Sequence, residues 1–241
     1  MTKAKIGFIG ASLPSSPHHD SFRAFIPKNI DFSFVQETGA DGSLWSAKGK
    51  LDALIQQSRE LIEQYAWDGL IISGGPKEVL NPGMSARLAA ELRVPVATAL
   101  RSSAAALKVY GASRILLMTP VDDKLKELYR EYLADFDIET VCPPQTLRAH
   151  TDAQKLTPED VGKMTRETFA AQSNIDAIYF QGALLDPLKV LDRLESELKV
   201  PIIASNPAML WVILSKIGLE YKIPAYGKLL AEWPKLPAGV W

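Results

Sequence analysis

Two short stretches constrain the fold of this chain more than any others: Asp68-Gly69-Leu70-Ile71-Ile72-Ser73-Gly74-Gly75 and Asp176-Ala177-Ile178-Tyr179-Phe180-Gln181-Gly182-Ala183. Each opens on an acidic residue, continues as an apolar run and closes in a turn of small residues. A continuous apolar run of this length, bounded by turn residues, predicts a strand covered on both faces, as in a parallel sheet. The turn then falls at the carboxyl end of the strand, where open α/β sheets place their ligands. Glycine at that point lets the backbone approach a bound group and aim N–H donors at it. The pairing predicts two such turns facing one cleft.

The surroundings of the two stretches repeat in the same order. Each is followed by a short Val-Pro strand (Val94-Pro95-Val96-Ala97 and Val200-Pro201-Ile202-Ile203) and then a helix, over Ala99–Tyr110 and from Asn206 to Lys216. Gly74 and Gly182 are 108 positions apart, and Pro95 and Pro201 are 106 apart. Before them come the strands Lys5–Gly10 with Phe32–Val35, and Ile115–Met118 with Ile138–Val141. Apolar positions at 51, 54, 55, 61, 62 and 65 predict an amphipathic helix over Leu51–Tyr65. Further helices are expected at Met84–Leu92, Asp122–Leu133 and Asp186–Leu198. Another starts at Thr157-Pro158-Glu159-Asp160, with a capping hydroxyl, proline at the first helical position and a carboxylate at the third. Alternating strands and helices predict an α/β fold of two pseudo-symmetric lobes, each a short parallel sheet flanked by helices. The expected division is 1–111 plus 219–241 for the first lobe, with the closing segment crossing back onto it, and 112–218 for the second. The polar stretch Gly39–Gly49 is long enough to cover a site.

Composition narrows the function. Twenty-seven basic residues nearly balance 28 acidic ones, and no basic stripe or acidic tail stands out. Nucleic acid and an anionic membrane surface are therefore not expected partners. The apolar runs are too short to span a bilayer. The amino terminus enters a strand pattern at once, leaving no room for a signal peptide, so a cytoplasmic location is expected. The single cysteine, Cys142, excludes an intrachain disulfide and a multi-cysteine metal site. No metal site and no cofactor are expected.

Further along, Ser205-Asn206-Pro207-Ala208-Met209-Leu210-Trp211, Tyr226-Gly227-Lys228-Leu229 and the run from Asp176 to Leu188 carry a resemblance. In their order the chain resembles the aspartate/glutamate racemase superfamily, and within it the branch of arylmalonate decarboxylase and maleate cis-trans isomerase. Members typically move protons beside a carboxylate with two facing cysteines, of which the decarboxylase keeps the second. Carried over by position, the first cysteine falls on Gly74 and the second on Gly182. The tyrosine after the Thr-Pro turn falls on Val121, and an asparagine of the first loop on Pro14. The resemblance thus implies a carboxylate-cradling scaffold without the thiols: Ser12, Gly74, Gly75, Thr119, Gly182, Ala183, Ser205 and Asn206. Two-base racemisation is not expected from it.

Each candidate also has a plainer reading. The glycines can serve only their strand-to-helix turns. Asn206, before a proline at a helix start, can serve only as a cap, although a helix amino terminus also attracts anions. Ser12 and Thr119 carry the same double reading. His18 and His19 are the residues of the first loop able to titrate near neutrality, and solvation is their plainer role. With only Asp20 adjacent, they make a poor metal site. Lys77 follows the Gly-Gly turn and could supply charge or a proton, or could be a surface lysine beside Glu78. Tyr179 and Phe180 belong to the core, and Cys142 reads as an incidental thiol.

The expected function is an enzyme acting on a small carboxylic acid through a stabilised enolate or enediolate, a decarboxylase-like lyase working without the usual cysteines. Lys77, His18 or His19 would supply the proton. The alternatives are a catalytically silent carboxylate binder, and an isomerase or hydrolase that uses the loop histidines. The expected partner is a small carboxylate, and a homo-oligomer is left open.

Overall fold

The computed structural model describes residues 2–144 and 147–238, with the side chain of His18 left out. Residues up to 99 together with 209–220 form one compact unit, and 100–208 together with the chain from 221 onward form a second.

The first unit carries β1 (Ala4–Gly10), β2 (Ile30–Gln36), β3 (Gly69–Ile72) and β4 (Val96–Thr98). They form one sheet in the order β2-β1-β3-β4, all parallel. Helices α1 (Asp20–Arg23), α2 (Leu51–Tyr65), α3 (Gly75–Leu80) and α4 (Met84–Glu91) belong to the same stretch of chain. Leu54, Ile55 and Ile62 of α2 and Leu88 of α4 join Ile9, Leu70, Ile72 and Trp67 in one core. That is the face the sequence periodicity marks, although Tyr65 stands exposed. A second apolar group gathers Phe8, Phe22, Phe32 and Phe34. Gly7 is dictated by packing, since a Cβ there would stand 2.2 Å from the Trp67 ring.

In the second unit β5 (Arg114–Met118), β6 (Glu139–Val141), β7 (Ala177–Phe180) and β8 (Ile202–Ala204) repeat the plan as β6-β5-β7-β8. All three pairings are again parallel. Its helices begin with α5 (Ala99–Val109), α6 (Asp123–Ala134), α7 (Pro158–Ala170) and α8 (Leu191–Leu198). Then come α9 (Ser205–Lys216), which crosses the division between the units, and α10 (Lys228–Glu232). Buried β3 and β7, every residue of which is inaccessible, are the two strands expected from the paired runs.

The acidic residue before each run has a job. Asp68 Oδ2 accepts from Lys5 N at 2.8 Å, and Asp68 N donates to Lys5 O, also at 2.8 Å. Asp176 does the same for β5, accepting from Ser113 N, Arg114 N and the Ser113 hydroxyl at 2.8–2.9 Å. The prolines repeat too. Pro95 O and Pro201 O accept from Leu70 N and Ile178 N, each at 3.0 Å. Proline lacks an N–H but keeps its carbonyl, so it can flank a strand where it could not continue one. The short strands therefore begin at Val96 and Ile202, just after the expected starts.

Three expectations are corrected. The helix expected from Asp186 begins only at Leu191, because Asp186 Oδ1 accepts from Leu188 N at 3.0 Å and holds a turn instead. The first turn after β3 is already helical, as α3, with Pro76 in its opening turn. The closing segment, expected on the first lobe, packs with the second unit. Gly227 N donates to Asp192 Oδ1 at 2.6 Å, and Lys228 N to Glu195 Oε2 at 2.7 Å.

Candidate functional site

Both units gather their candidate residues at the carboxyl edge of the sheet. In the first unit Ala11 follows β1, Glu37 follows β2, and Gly74 comes two residues after β3. These three line a recess together with Pro76, Lys77 and the loop from Gly39 to Lys50. Gly74 has φ 106° and ψ 101°, a conformation that L residues rarely adopt. Its missing side chain matters as well: a Cβ on Gly74 would stand 3.2 Å from Lys77 Nζ.

Lys77 is not a surface lysine. Its side chain is 6% exposed and pairs with Glu37, itself 9% exposed, at 2.9 Å; Nζ also donates to Ser73 O at 2.6 Å. A buried ammonium requires this kind of compensation, because isolated burial of a charge is costly. Glu78, the partner the sequence suggested, is turned away and accepts from Thr98 Oγ1 at 2.8 Å.

Asn81, at the end of α3, holds the covering loop in place. Its Nδ2 donates to Ala47 O and Lys77 O at 2.9 and 2.8 Å, and its Oδ1 accepts from Gly49 N at 3.0 Å. Lys50 Nζ closes the loop base on Gly39 O at 2.9 Å. Asp41, in the same loop, has its carboxyl held below the usual range, chiefly by the backbone N–H of Ser43. Glu37 and Asn81 escaped the sequence reading. Glu37 could have been found as the acidic residue at the carboxyl end of a strand, just before the Gly39–Gly49 loop. Asn81 carries no signal of its own, since only the fold brings it to that loop.

In the second unit the structure brings four sequence-predicted residues together. Gly182, Ala183, Ser205 and Asn206 line one recess, with Phe180, Asp186 and Leu188 among its other walls. Gly182 has φ 97°, and a Cβ there would meet only Pro120 Cδ, at 3.9 Å. At Gly182 the constraint is therefore conformational rather than steric. Ser205 and Asn206 form the first turn of the twelve-residue α9. The Ser205 hydroxyl lies 3.1 Å from Tyr179 Oη and also reaches Phe180 O, which ties the helix start to β7.

The remaining candidates lie elsewhere. Thr119 Oγ1 donates to Gln181 Oε1 at 3.0 Å, and Thr119 lines a different recess with Lys126, Pro143 and Met164. Ser12 is half-buried and Gly75 buried, and neither is among the residues lining the first unit's recess. His19 is no solvated loop residue. It is buried against the rings of Phe34 and Phe8, at centroid distances of 4.6 and 5.5 Å. The side chain of His18 lies outside what the structure describes. Cys142 follows β6, half-buried, and burial pushes its thiol up from the ordinary value. Among the described residues no group of three His, Cys, Asp or Glu side chains could hold a metal ion, and no helix is long and apolar enough to cross a membrane.

The sequence model of arylmalonate decarboxylase matches residues 54–230, most of the chain. The chain belongs to the arylmalonate decarboxylase family. Solved structures share this family's fold over nearly their full length. Arylmalonate decarboxylase itself superposes with a TM-score of 0.78 at 19% identity, covering 95% of this chain and 99% of that one. A variant of the maleate isomerase from Pseudomonas putida S16, solved with maleate, gives 0.73 at 17%, covering 95% and 97%. A mutant of the Nocardia farcinica maleate cis-trans isomerase, holding a covalently bound succinylcysteine intermediate, gives 0.73 at 19%, covering 95% and 98%. No curated protein sequence matches the chain.

Proposed function

We propose that this family member is an enzyme of small carboxylic acids that forms a stabilised enolate or enediolate, as a decarboxylating lyase that works without a thiol. The observation that carries the proposal is the recess of the second unit, where a positive-φ glycine turn and the start of a long helix meet. Backbone N–H groups at such a turn, the Asn206 amide and the amino end of α9 form a set of donors suited to one carboxylate. As carbon dioxide leaves, the electron pair of the broken bond passes into that carboxylate. The same donors then hold the charge of the enediolate, which is stabilisation of the oxyanion-hole kind.

On this reading the relatives' two thiol positions are Gly74 and Gly182. Positive φ at both supports a chain built for glycine there, and the cysteine the chain does have follows β6. Covalent catalysis through a thiol is then absent, and charge stabilisation with a separate proton donor takes its place. The burial of His19 among phenylalanines weighs against an isomerase or hydrolase run by the loop histidines.

The test is carbon dioxide release from a panel of arylmalonates and alkylmalonates, with maleate as a control substrate. At least one malonate is expected to turn over, at a rate unaffected by iodoacetamide and reduced at least about tenfold by Asn206→Leu, in line with loss of one preorganised donor. Tight binding of a malonate with no turnover would make the protein a carboxylate binder, and conversion of maleate to fumarate would make it an isomerase.

A further inference from the structure

We infer that the second unit carries a binding site for a small aromatic monocarboxylate, in the recess at the carboxyl ends of β5, β6 and β7, with the ammonium of Lys126 as its anchor. The site is independent of the lyase reading, because neither Gly182 nor Asn206 lines this recess. Met118 ends β5 and Thr119 follows it, Pro143 lies just beyond β6, and Leu185 belongs to the loop after β7. Together with Lys126 of α6 and Met164 of α7 they line it. The carboxyl edge of a parallel sheet is where such folds place ligands. The first unit opens its own recess at the equivalent strands, β1, β2 and β3.

Lys126 is the residue that calls for an anion. Its side chain is 5% exposed, and Nζ donates to Pro143 O at 3.1 Å, so the charge stands at a wall of the recess. Its ion-pair partner among the described residues is Asp123, at 3.0 Å on the preceding turn of α6, and that carboxylate is 79% exposed. A carboxylate so well solvated offsets little of the cost of burying an ammonium. Lys77 makes the contrast, since its partner Glu37 is itself buried and the pair is closed. The other charged groups near Lys126 do not close the balance. Arg130 adds a second cation, Glu127 pairs with Arg130 at the surface, and burial keeps the Cys142 thiol protonated. An ammonium has three N–H donors. Asp123 and Pro143 take two of them, and no described residue takes the third.

The remaining walls define the rest of the ligand. Met118, Pro143, Met164 and Leu185 are apolar there, and the Thr119 and Thr168 hydroxyls already donate to Gln181 Oε1 and Met164 O. One cation among apolar walls fits one carboxylate on an apolar body. A second carboxylate would be desolvated with nothing to pair with. Two thioethers in the walls favour an aromatic ring, which sulfur contacts well. Benzoate is the simplest acid of this class.

The experiment titrates the full chain, carrying isotope-labelled methionine methyls, with benzoate. Ring-current shifts are expected at the Met118 and Met164 methyls and not at Met84, with the affinity read by calorimetry. Lys126→Leu is expected to weaken benzoate binding at least about tenfold, the low end for a hydrogen bond to a charged group. Phenylmalonate is expected to move the same two methyls only at higher concentration than benzoate. If Lys126→Leu does not fold, Met164→Trp fills the recess while keeping the lysine, and the same loss is expected. No shift at Met118 and Met164 up to millimolar benzoate would overturn the inference, as would undiminished binding in folded Lys126→Leu. Phenylmalonate binding there as tightly as benzoate would overturn the monocarboxylate class. Carbon dioxide release from malonates is measured separately, so the lyase reading stands or falls apart from these results.

Discussion

At the scale of single residues, the paired glycine turns were legible and the ion pair that lines the first recess was only half so. Gly74 and Gly182 announced themselves because a turn at the end of a buried strand is where only glycine accepts φ near 100°. Lys77 was visible as a cation beside that turn, but its partner was not. Local sequence offered Glu78, one residue on, whereas the fold supplies Glu37 from the end of β2, two strands away in the sheet. Helix geometry explains the difference, since adjacent residues on a helix point apart. His19 failed for a related reason: a Pro- and Ser-rich loop looks solvated, yet this one folds its imidazole onto a phenylalanine cluster. Cys142 gives the sharpest residue-scale prediction. Burial raises its thiol, with Arg130 opposing, so at neutral pH it stands as the unreactive thiol rather than the thiolate. Iodoacetamide should label it slowly at neutral pH and faster above the ordinary thiol range. Cys142→Ser should change malonate turnover less than twofold; loss of turnover in a folded Cys142→Ser protein would place the chemistry at β6 instead.

Elements were the most legible scale, and where they shifted a named side chain moved them. Thr157 accepts from Asp160 N at 3.1 Å and Asp160 Oδ2 from Thr157 N at 2.9 Å, the reciprocal cap that the Thr-Pro-Glu-Asp run implies. Asp186 and the two Val-Pro steps delayed their elements because a local turn or a missing N–H competes with regular structure. The acidic residues before β3 and β7 read at first only as boundary markers, and the structure makes them strand clamps. Three donors, the N–H of Ser113 first among them, hold the Asp176 carboxyl below the usual carboxylate range. The sign follows. A depressed folded value contributes stability above the ordinary aspartate range of about 4, and that contribution is lost as pH falls through the lower folded value. Asp176→Ala should therefore destabilise the protein at pH 7 by about 1 kcal/mol, below the usual figure for bonds to a charged group because the carboxylate is exposed. The deficit should shrink toward pH 3, read by urea unfolding at several pH values. A deficit independent of pH would mean that the loss is one of packing and that the carboxylate charge contributes nothing.

For the molecule as a whole, the repeat of strand order was readable and the membership of the chain's end was not. Two copies of a β-α-β plan predict two like sheets, and two sheets of equivalent order are found. The segment after Gly218 offers no such pattern, because a short helix with flanking turns declares its partner only through contacts. Its backbone N–H groups are held by α8, and Glu232 accepts from Tyr110 Oη at 3.3 Å. Glu195 accepts from Ile202 N and Lys228 N, and Asp192 from Gly227 N, so two carboxylates of one helix hold both β8 and the closing segment. Gly227 is the joint. It has φ 90°, and a Cβ on it would enter the space of the Leu191 side chain. Gly227→Ala should thus meet two costs at once, backbone strain of about 1–2 kcal/mol and an overpacking cost of about 1–3 kcal/mol. The two can be separated by a double-mutant cycle. Leu191→Ala alone should destabilise by leaving a cavity, since Leu191 is 1% exposed. In the Gly227→Ala background it should cost clearly less, because the steric part is already relieved, while the φ strain stays. Denaturant unfolding of the four proteins measures the coupling. Strict additivity would mean that Gly227 and Leu191 do not touch, and with it the docking of the closing segment on α8 would be lost.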